Sequence, residues 1–389
     1  MNDKLIKLCR SRDLVAIFRG LAQDEVFHRL MILIGSDNRR LSSFLADYSD
    51  FVSELYKKDT VDLSSYLLKL VLEDDNVYIR QVAAGMKPSD EMQECLSHEL
   101  DFLQEVAQLK PEDFSGSIDY SGFLPRWTTS PTDLIESYTQ RLDEIEKYGY
   151  GKWAKYTMFR FRDGDIIPEE YPDSQHLSDL FGYKEQRSEI INNTKTLLEG
   201  KPARNVLLYG DSGTGKTSTV KAVANEFAPQ GLRLIEITKE QLGDIPAIFR
   251  EISHNLLKFI IFIDDLSSDS GNDSFGALEA TLERTAAARP DNAVIYATSN
   301  RSDRDDADQS DTIREALSLS SRFGLRMNFD RPEIDEYITI VTKLAKSSGL
   351  IMNKKELAAG AERFAITSGN GRSPRTAKQY INYMLASLR

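Results

Sequence analysis

Residues 210–217, with the sequence GDSGTGKT, have the types and spacing of a loop that binds phosphate. They match G-x-x-x-x-G-K-[ST] at every fixed position. Glycines let backbone N–H groups close around phosphate oxygens, and the start of the following helix adds partial positive charge. We expect Lys216 to reach the β- and γ-phosphates of a nucleoside triphosphate and Thr217 to bind Mg²⁺.

The surroundings of this loop favour a nucleotide site over the alternative, a glycine-rich turn with no ligand. An apolar run at 205–209 precedes the loop and a helical pattern at 216–227 follows it, which is the order of a strand–loop–helix phosphate site. The predicted nucleotide-binding residues of the loop are Gly210, Asp211, Ser212, Gly213, Thr214, Gly215, Lys216, Thr217 and Ser218.

Two adjacent carboxylates, Asp264 and Asp265, follow the apolar run 259–263. Such a run predicts a buried strand, and the carboxyl end of a strand lies at the sheet edge where these folds bind ligands. We expect Asp264 to hold Mg²⁺, and Asp265 to orient or deprotonate an attacking water. The alternative is a strand followed by an Asp-rich turn that has no chemical role.

The second half of the chain has the pattern of a sheet that would position these residues. After residue 176, short strand-like runs alternate with helical segments, which predicts an α/β fold with a parallel sheet between helices. The predicted strands are residues 206–209, 232–237, 259–263, 293–297 and 325–329. From residue 333 onward the pattern is helical, with breaks at 349 and 369–374, which predicts about three helices.

Residues 3–110 have helical spacing of apolar side chains, which predicts an all-α region. We find no repeat of about 20–50 residues, so the pattern favours a bundle over a solenoid. Residues 132–148 read as a further helix. The aromatic and polar stretch 151–176 resembles a connector with room for a short hairpin at 157–162.

The composition is that of an ordinary globular protein. Of 389 residues, 41% are hydrophobic and 28% are charged. The two cysteines, Cys9 and Cys95, fit a reducing compartment, and the four histidines lack the spacing of a zinc site. No apolar run approaches the roughly 20 residues that span a bilayer, so we expect a cytoplasmic protein with no membrane partner.

Charge is concentrated in the first part of the chain. Residues 1–150 carry 17 basic and 27 acidic side chains, a balance of −10, and residues 151–389 carry 32 and 34, a balance of −2. An acidic region is a poor binder of nucleic acid, because that affinity depends on neutralising phosphates.

The order of these motifs resembles that of the AAA+ P-loop ATPases over about residues 177–389. The resemblance implies ATP and Mg²⁺ as cofactors, and assembly into a homo-oligomer. Asn300, at the end of the run 293–300, looks like the sensor-1 residue that helps to place the attacking water. Its alternative role is that of a turn residue at the start of a loop.

Two arginines resemble further parts of such an ATPase. Arg322, in the segment 320–324, is similar to the arginine finger that reaches the γ-phosphate bound by a neighbouring subunit. Arg375, at the start of the last helix, resembles the sensor-2 residue, and Arg372 is the less favoured register. Surface positions without such roles are the alternatives for both arginines.

The segment 177–183 lies where the resemblance implies the adenine-side loop. Leu180, Gly182 and Tyr183, together with Phe181, would provide an apolar surface and backbone contacts for the base. Packing of these side chains in the core is an equal alternative.

Five stretches look more narrowly like a bacterial AAA+ family that has a helical N-terminal extension and no assigned cellular role. They are residues 182–194, 205–210, 264–267, 289–292 and 317–320. One difference concerns catalysis: most AAA+ enzymes have Glu where this chain has Asp265. The shorter carboxylate, also found in replication initiators and helicase loaders, implies slow, switch-like hydrolysis.

We therefore expect a helical N-terminal domain at 1–150, a connector at 151–176, an AAA+ nucleotide-binding domain at 177–331 and a helical lid at 332–389. The segment 238–244 has no aromatic residue, unlike the pore loops of protein-threading machines. The favoured function is an oligomeric ATPase switch that remodels or recruits a protein partner through residues 1–150. A nucleic-acid-associated, helicase-loader-like ATPase and a non-catalytic nucleotide-binding scaffold are the alternatives.

Overall fold

The computed structural model describes residues 3–36, 40–115, 120–266, 289–300 and 323–387. They form two compact units, divided between Lys155 and Tyr156. We call the first the helical unit and the second the sheet unit. None of the helices in these described ranges is long and apolar enough to cross a membrane.

The helical unit is built from amphipathic helices. Asp62, Asn76 and Ser89 begin three of them by accepting hydrogen bonds from backbone N–H groups of the first turn, which would otherwise lack partners. The helices are α1 (Asp3–Arg12), α2 (Glu25–Gly35), α3 (Leu41–Tyr56), α4 (Leu63–Leu72), α5 (Val77–Ala83), α6 (Asp90–Ala107), α7 (Pro111–Ser115), α8 (Leu134–Asp143), α9 (Ile145–Tyr148) and α10 (Lys152–Lys155).

The core of the helical unit includes a group of aromatic rings around Trp127. Its ring centroid lies 5.4 Å from that of Tyr48, 5.0 Å from that of Phe51 and 5.8 Å from that of Phe114. The buried indole Nε1–H donates to the carbonyl of Leu109 at 2.7 Å. A loop residue thus closes the bundle, and its polar atom is satisfied.

One buried carboxylate, that of Glu99 on α6, joins α6 to the segment after α1. Its oxygens accept the backbone N–H groups of Ala16 at 2.7 Å, Ile17 at 2.9 Å and Phe18 at 2.9 Å. Three such bonds compensate a carboxylate that has been removed from water.

The sheet unit contains a seven-stranded sheet in the order β2-β1-β4-β5-β6-β3-β7, parallel except for the β1–β2 pair. The strands are β1 (Met158–Arg162), β2 (Asp165–Pro168), β3 (Val206–Gly210), β4 (Leu232–Ile237), β5 (Lys258–Ile263), β6 (Ala293–Asn300) and β7 (Leu325–Phe329). The helices of its α/β part are α11 (Lys184–Leu198), α12 (Lys216–Phe227) and α13 (Ile245–Ile252). Strands buried on both faces explain the apolar runs in the sequence.

The stretch 151–176, expected to be a connector, differs from that expectation. Its hairpin, β1 and β2, extends the sheet because β1 pairs in parallel with β4. This pairing joins residues about 75 positions apart, such as Phe159 and Ile235, and local sequence does not reveal it. The unit boundary therefore falls at Lys155, before the hairpin.

The strand order brings the predicted site residues to one edge. β3 lies between β6 and β7, so the chain leaves β3, crosses to β4 and later returns through β5 and β6. Gly210 and Asn300 are register partners, and Ile263, just before Asp264, pairs with Ala297. The carboxyl ends of β3, β5 and β6 thus meet where the strand order reverses, and open α/β sheets bind ligands at such a point.

Three helices complete the sheet unit: α14 (Ile334–Ser347), α15 (Lys354–Thr367) and α16 (Pro374–Ser387). They pack around their own core, which includes Tyr337, Ile340 and Tyr380. The predicted α/β class, with a parallel sheet, a helical C-terminal part and an all-α region before the sheet, is confirmed.

Candidate functional site

The loop between β3 and α12 has a backbone that glycine permits. Gly210, Gly213 and Gly215 have φ values of +130°, +77° and +97°. A Cβ atom at Gly210 would lie 2.4 Å from the carbonyl oxygen of Phe329, which leaves no room for a side chain. These three glycines, of which Gly210 and Gly215 are fixed in the motif, therefore shape the curved loop that the sequence predicts for phosphate.

The loop is fastened at its first turn by Asp211. The Asp211 N–H donates to the carbonyl of Phe329 at 3.1 Å, and one carboxylate oxygen accepts the backbone N–H of Arg331 at 2.8 Å. The Thr214 hydroxyl donates to the Asp211 carbonyl at 2.8 Å. Asp211 thus fixes the loop to the end of β7 and does not line the cavity described below.

Lys216 begins α12 and is only 5% exposed. Its ammonium donates to the carbonyls of Gly210 at 3.0 Å and Asp211 at 2.7 Å. Burial lowers the pKa of Lys216 to about 8, although the carboxylates of Asp211, Asp265 and Asp264 oppose that shift. The ammonium donates to neutral carbonyl groups, which balance its positive charge less than a hydrogen-bonded carboxylate would. An anion that entered the loop would therefore be attracted to it.

Two hydroxyl groups converge on Asp264 just beyond β5. The hydroxyls of Thr217 and Thr298 donate to the same carboxylate oxygen at 2.7 and 2.6 Å. The Thr298 hydroxyl also accepts the backbone N–H of Asp265 at 2.9 Å. Sequence reasoning missed Thr298, because a threonine inside a buried strand resembles an ordinary core residue.

This set of oxygen atoms fits Mg²⁺, which binds to one or two protein oxygens and takes its other ligands from phosphate and water. Thr217 and Asp264 would hold the ion. Within the described ranges, no group of three or more His, Cys, Asp or Glu side chains is arranged for a metal. The pair of oxygen groups on Thr217 and Asp264 suits a metal that arrives with a phosphate ligand.

Asp265 has an exposed side chain and a backbone φ of +82°. That conformation is uncommon for a residue with a Cβ atom, and such strain is often found at functional sites. The bond from its N–H to Thr298 holds it there. Asp265 and Asn300 both face the same cavity as the loop.

The cavity has a volume of about 580 Å³, within the range of small-molecule sites. It brings together residues 212–218 of the loop and helix, both aspartates, Asn300, parts of the segment 175–187, and residues of α14 and α16. Its apolar side chains include Leu180, Phe181, Ile340 and Leu344. Charged groups and an apolar wall thus share one space of nucleotide size.

The predicted base-side residues divide between the cavity and the core. Leu180 lines the cavity, but the Tyr183 ring is buried against that of Phe329, with centroids 5.0 Å apart. The Tyr183 hydroxyl donates to the carbonyl of Asp330 at 2.6 Å. Gly182 has a φ of +81°, and a Cβ there would lie 2.8 Å from the Cδ1 of Ile340.

The predicted arginines also fall in different places. Arg375 lines the cavity, and its N–H donates to the carbonyl of Gly213 at 3.2 Å. Arg372, just before α16, instead forms a two-pronged ion pair with Glu362 of α15, at N–O distances of 2.6 to 3.1 Å. Arg322 lies outside the described residues.

Two further cationic residues of the cavity wall, Arg187 and Lys378, were missed. Lys378 lies three residues after Arg375 on α16, so helical spacing places both on one face. That spacing could have identified Lys378. No local pattern could have identified Arg187, because its contacts depend on the turn that precedes α11.

Residues 154–388 match a protein family described as "Protein of unknown function (DUF815)". A 26S proteasome regulatory subunit 4 homolog of Dictyostelium discoideum is 30% identical over 197 residues, 44% of this chain and 43% of that protein. ATPase family gene 2 protein of Saccharomyces cerevisiae is 30% identical over 156 residues, 36% of this chain and 19% of that protein. This chain therefore spans less than half the length of either relative.

Among solved structures, the Thermotoga maritima RuvB Holliday junction branch migration motor matches 54% of this chain and 63% of that chain. The TM-score is 0.37 and the identity is 18%. The resemblance to AAA+ P-loop ATPases that the motifs predict is confirmed by the family match together with the proteasome regulatory subunit 4 homolog and ATPase family gene 2 protein.

Proposed function

The chain belongs to the DUF815 family, and from that premise we propose that its sheet unit binds Mg·ATP and hydrolyses it. The observation that carries the proposal is the convergence of Lys216, the Thr217–Asp264 pair and Asp265 on one cavity. These groups come from separate strands and loops, so a glycine-rich turn without a ligand does not account for their meeting.

Each residue has a role that its position supports. Lys216 would exchange its two carbonyl partners for phosphate oxygens, and Thr217 with Asp264 would hold Mg²⁺. Held there, the ion would supply positive charge against the negative charge that develops on the phosphates. Asp265 would orient the attacking water or accept its proton, and Asn300, beside the loop in register, would help to place that water.

The lid and the neighbouring subunit would complete the site. We assign residues 332–389 as the lid, from which Arg375 would contact the phosphates. Arg322 would act on ATP bound to an adjacent copy of the chain, which requires a homo-oligomer. An arginine supplied in this way stabilises the charge of the transition state.

The helical unit would serve as the part that recruits or remodels a protein partner. It has its own aromatic and aliphatic core, and residues 1–150 carry −10 of the net charge of −12 of the chain. Both cysteines, Cys9 and Cys95, are free thiols, in keeping with the proposed cytoplasmic location.

The test compares wild-type protein with Asp265→Asn, and uses Asp244→Asn, an exposed position on the 3₁₀ turn after β4, as the matched control. We expect calorimetry to show Mg·ATP binding in all three proteins. Phosphate release should fall at least about a hundredfold in Asp265→Asn alone. Light scattering should show a larger assembly when Mg·ATP is added.

Failure of the wild-type protein to bind Mg·ATP would reject the proposed function altogether. Binding without turnover in the wild type would favour the non-catalytic scaffold. Turnover that survives in Asp265→Asn would remove that residue from the mechanism and leave the binding site intact.

A further inference from the structure

Arg187, in the first turn of α11, is an unusual cation in the wall of the nucleotide cavity. It is only 8% exposed. Its Nη1 donates to the carbonyl of Leu180 at 2.7 Å, and its Nη2 donates to the carbonyl of Phe181 at 3.1 Å. The planar fork of the guanidinium thus holds two consecutive peptide groups.

The charge of Arg187 is poorly compensated. Burial lowers its pKa to about 10, and Tyr183 and Glu336 oppose this shift. Across the described part of the chain, no carboxylate forms an ion pair with Arg187, and its buried Nε has no hydrogen-bond partner. Burying a cation against neutral groups costs free energy, which its hydrogen bonds to two carbonyl groups offset only in part.

What Arg187 fixes is the apolar part of the cavity wall. Leu180 and Phe181, whose carbonyls it holds, both line the cavity. The next two residues, Gly182 and Tyr183, contact α14. A Cβ at Gly182 would meet Ile340, and the Tyr183 N–H donates to a carboxylate oxygen of Glu336 at 3.2 Å.

The phosphate loop provides the polar contacts at one part of the same cavity. If the phosphates of a nucleotide occupy that loop, its base and ribose must contact the rest of the cavity wall. The side chains of Leu180 and Phe181 lie in that part of the wall. A flat aromatic base binds more tightly to an apolar wall that is already in place, because the wall then loses little conformational freedom on binding.

We propose that Arg187 is a positioning residue that preorganises the base-side wall of the cavity. Through this wall it would make the site prefer a nucleoside triphosphate to inorganic triphosphate. The inference rests on the proposed function. It assigns Arg187 no contact with the phosphates and no part in the chemical step.

The experiment measures the affinity of full-length protein for Mg·ATP and for magnesium tripolyphosphate by calorimetry. We expect Arg187→Met to weaken ATP binding about tenfold and to leave tripolyphosphate binding within about twofold. Arg187→Lys, which keeps a charge but loses the fork, should resemble Arg187→Met.

The matched control is Arg289→Met. Arg289 also donates to neutral oxygens, those of Asn205 at 3.1 Å and Ala203 at 3.0 Å, but these residues precede β3, at the opposite end of the strand from the phosphate loop. We expect this change to lower the melting temperature without altering the ratio of the two affinities. A merely structural role of Arg187 would give the same result as this control.

The outcomes separate the claims. Equal losses for both ligands would overturn the inference, because the ratio of the two affinities would then be unchanged. An unchanged affinity ratio in Arg187→Lys would also overturn it, and this milder variant decides the matter if Arg187→Met fails to fold. If wild-type protein binds tripolyphosphate but not ATP, or neither, the proposed function itself is wrong.

Discussion

Glu99 in the helical unit and Lys216 in the sheet unit are both charged and both 5% exposed, yet their partners differ. The Glu99 carboxylate accepts three backbone N–H groups from the segment after α1. The Lys216 ammonium donates to two carbonyls of its own loop. The carboxylate joins distant parts of the chain, whereas the hydrogen bonds of the ammonium to described residues stay within its own loop.

The difference separates a structural charge from one that would bind a ligand under the proposed function. The bonds of Glu99 satisfy backbone groups that would otherwise be buried without partners, so the fold depends on them. The partners of Lys216 are peptide carbonyls of a curved loop, and phosphate oxygens would replace them with a stronger, charge-assisted bond. Burial alone therefore does not distinguish Glu99 from Lys216, whereas the source and charge of their partners do.

The largest effect should come from removing the cation. We expect Lys216→Ala to abolish measurable binding of Mg·ATP while the melting temperature stays the same or rises, because an undercompensated buried charge is lost. Calorimetry and thermal unfolding test the two parts. A variant that binds ATP normally would break the comparison, and one that fails to fold would make Lys216 structural like Glu99.

Removing the carboxylate should have the opposite pattern. We expect Glu99→Ala to lower the free energy of unfolding by about 3 kcal/mol, because three N–H groups, two of them buried, lose their acceptor. Glu94→Ala, on the same helix at a side chain 77% exposed, is the control and should change it by less than about 0.5 kcal/mol. Denaturant titration measures both values. Similar losses in the two variants would show that the buried bonds are not what matters.

Several features of the sheet unit could be predicted because their signals are local. The glycine spacing fixes the loop, and the apolar runs before Asp264 and Asn300 place both residues at strand ends. Thr298 could not be identified, since its role depends on a neighbouring strand. Tyr183 was expected at the cavity, but a long-range contact with Phe329 draws its ring into the core.

A smaller effect should appear in the reactivity of Cys95, whose thiol donates to Glu99 at 3.2 Å. Burial, followed by the hydrogen bond and the negative charge of Glu99, raises the pKa of Cys95 to about 11. In a Cys9→Ser background, alkylation at pH 8 should therefore be about a hundredfold slower than that of an ordinary thiol. The rate should rise about tenfold per pH unit up to about pH 11.

Glu99→Gln sharpens this measurement, because it removes the negative charge and keeps an acceptor oxygen. We expect the pKa of Cys95 to fall and alkylation at pH 8 to become several-fold faster. Mass spectrometry of the alkylated peptide follows the rate. A pH profile centred near 8.5 in the parent protein would mean that Glu99 does not influence its neighbour.

The hairpin at one margin of the sheet has a consequence for solubility. β4 is a mostly apolar six-residue strand, and without β1 its open backbone would be a template for aggregation. The outermost strand is instead β2, which has four residues and ends in Pro168. A proline has no N–H to offer, so this margin recruits further strands poorly. A chain that begins just before β3, and so lacks β1 and β2, should therefore precipitate more readily than the full-length protein.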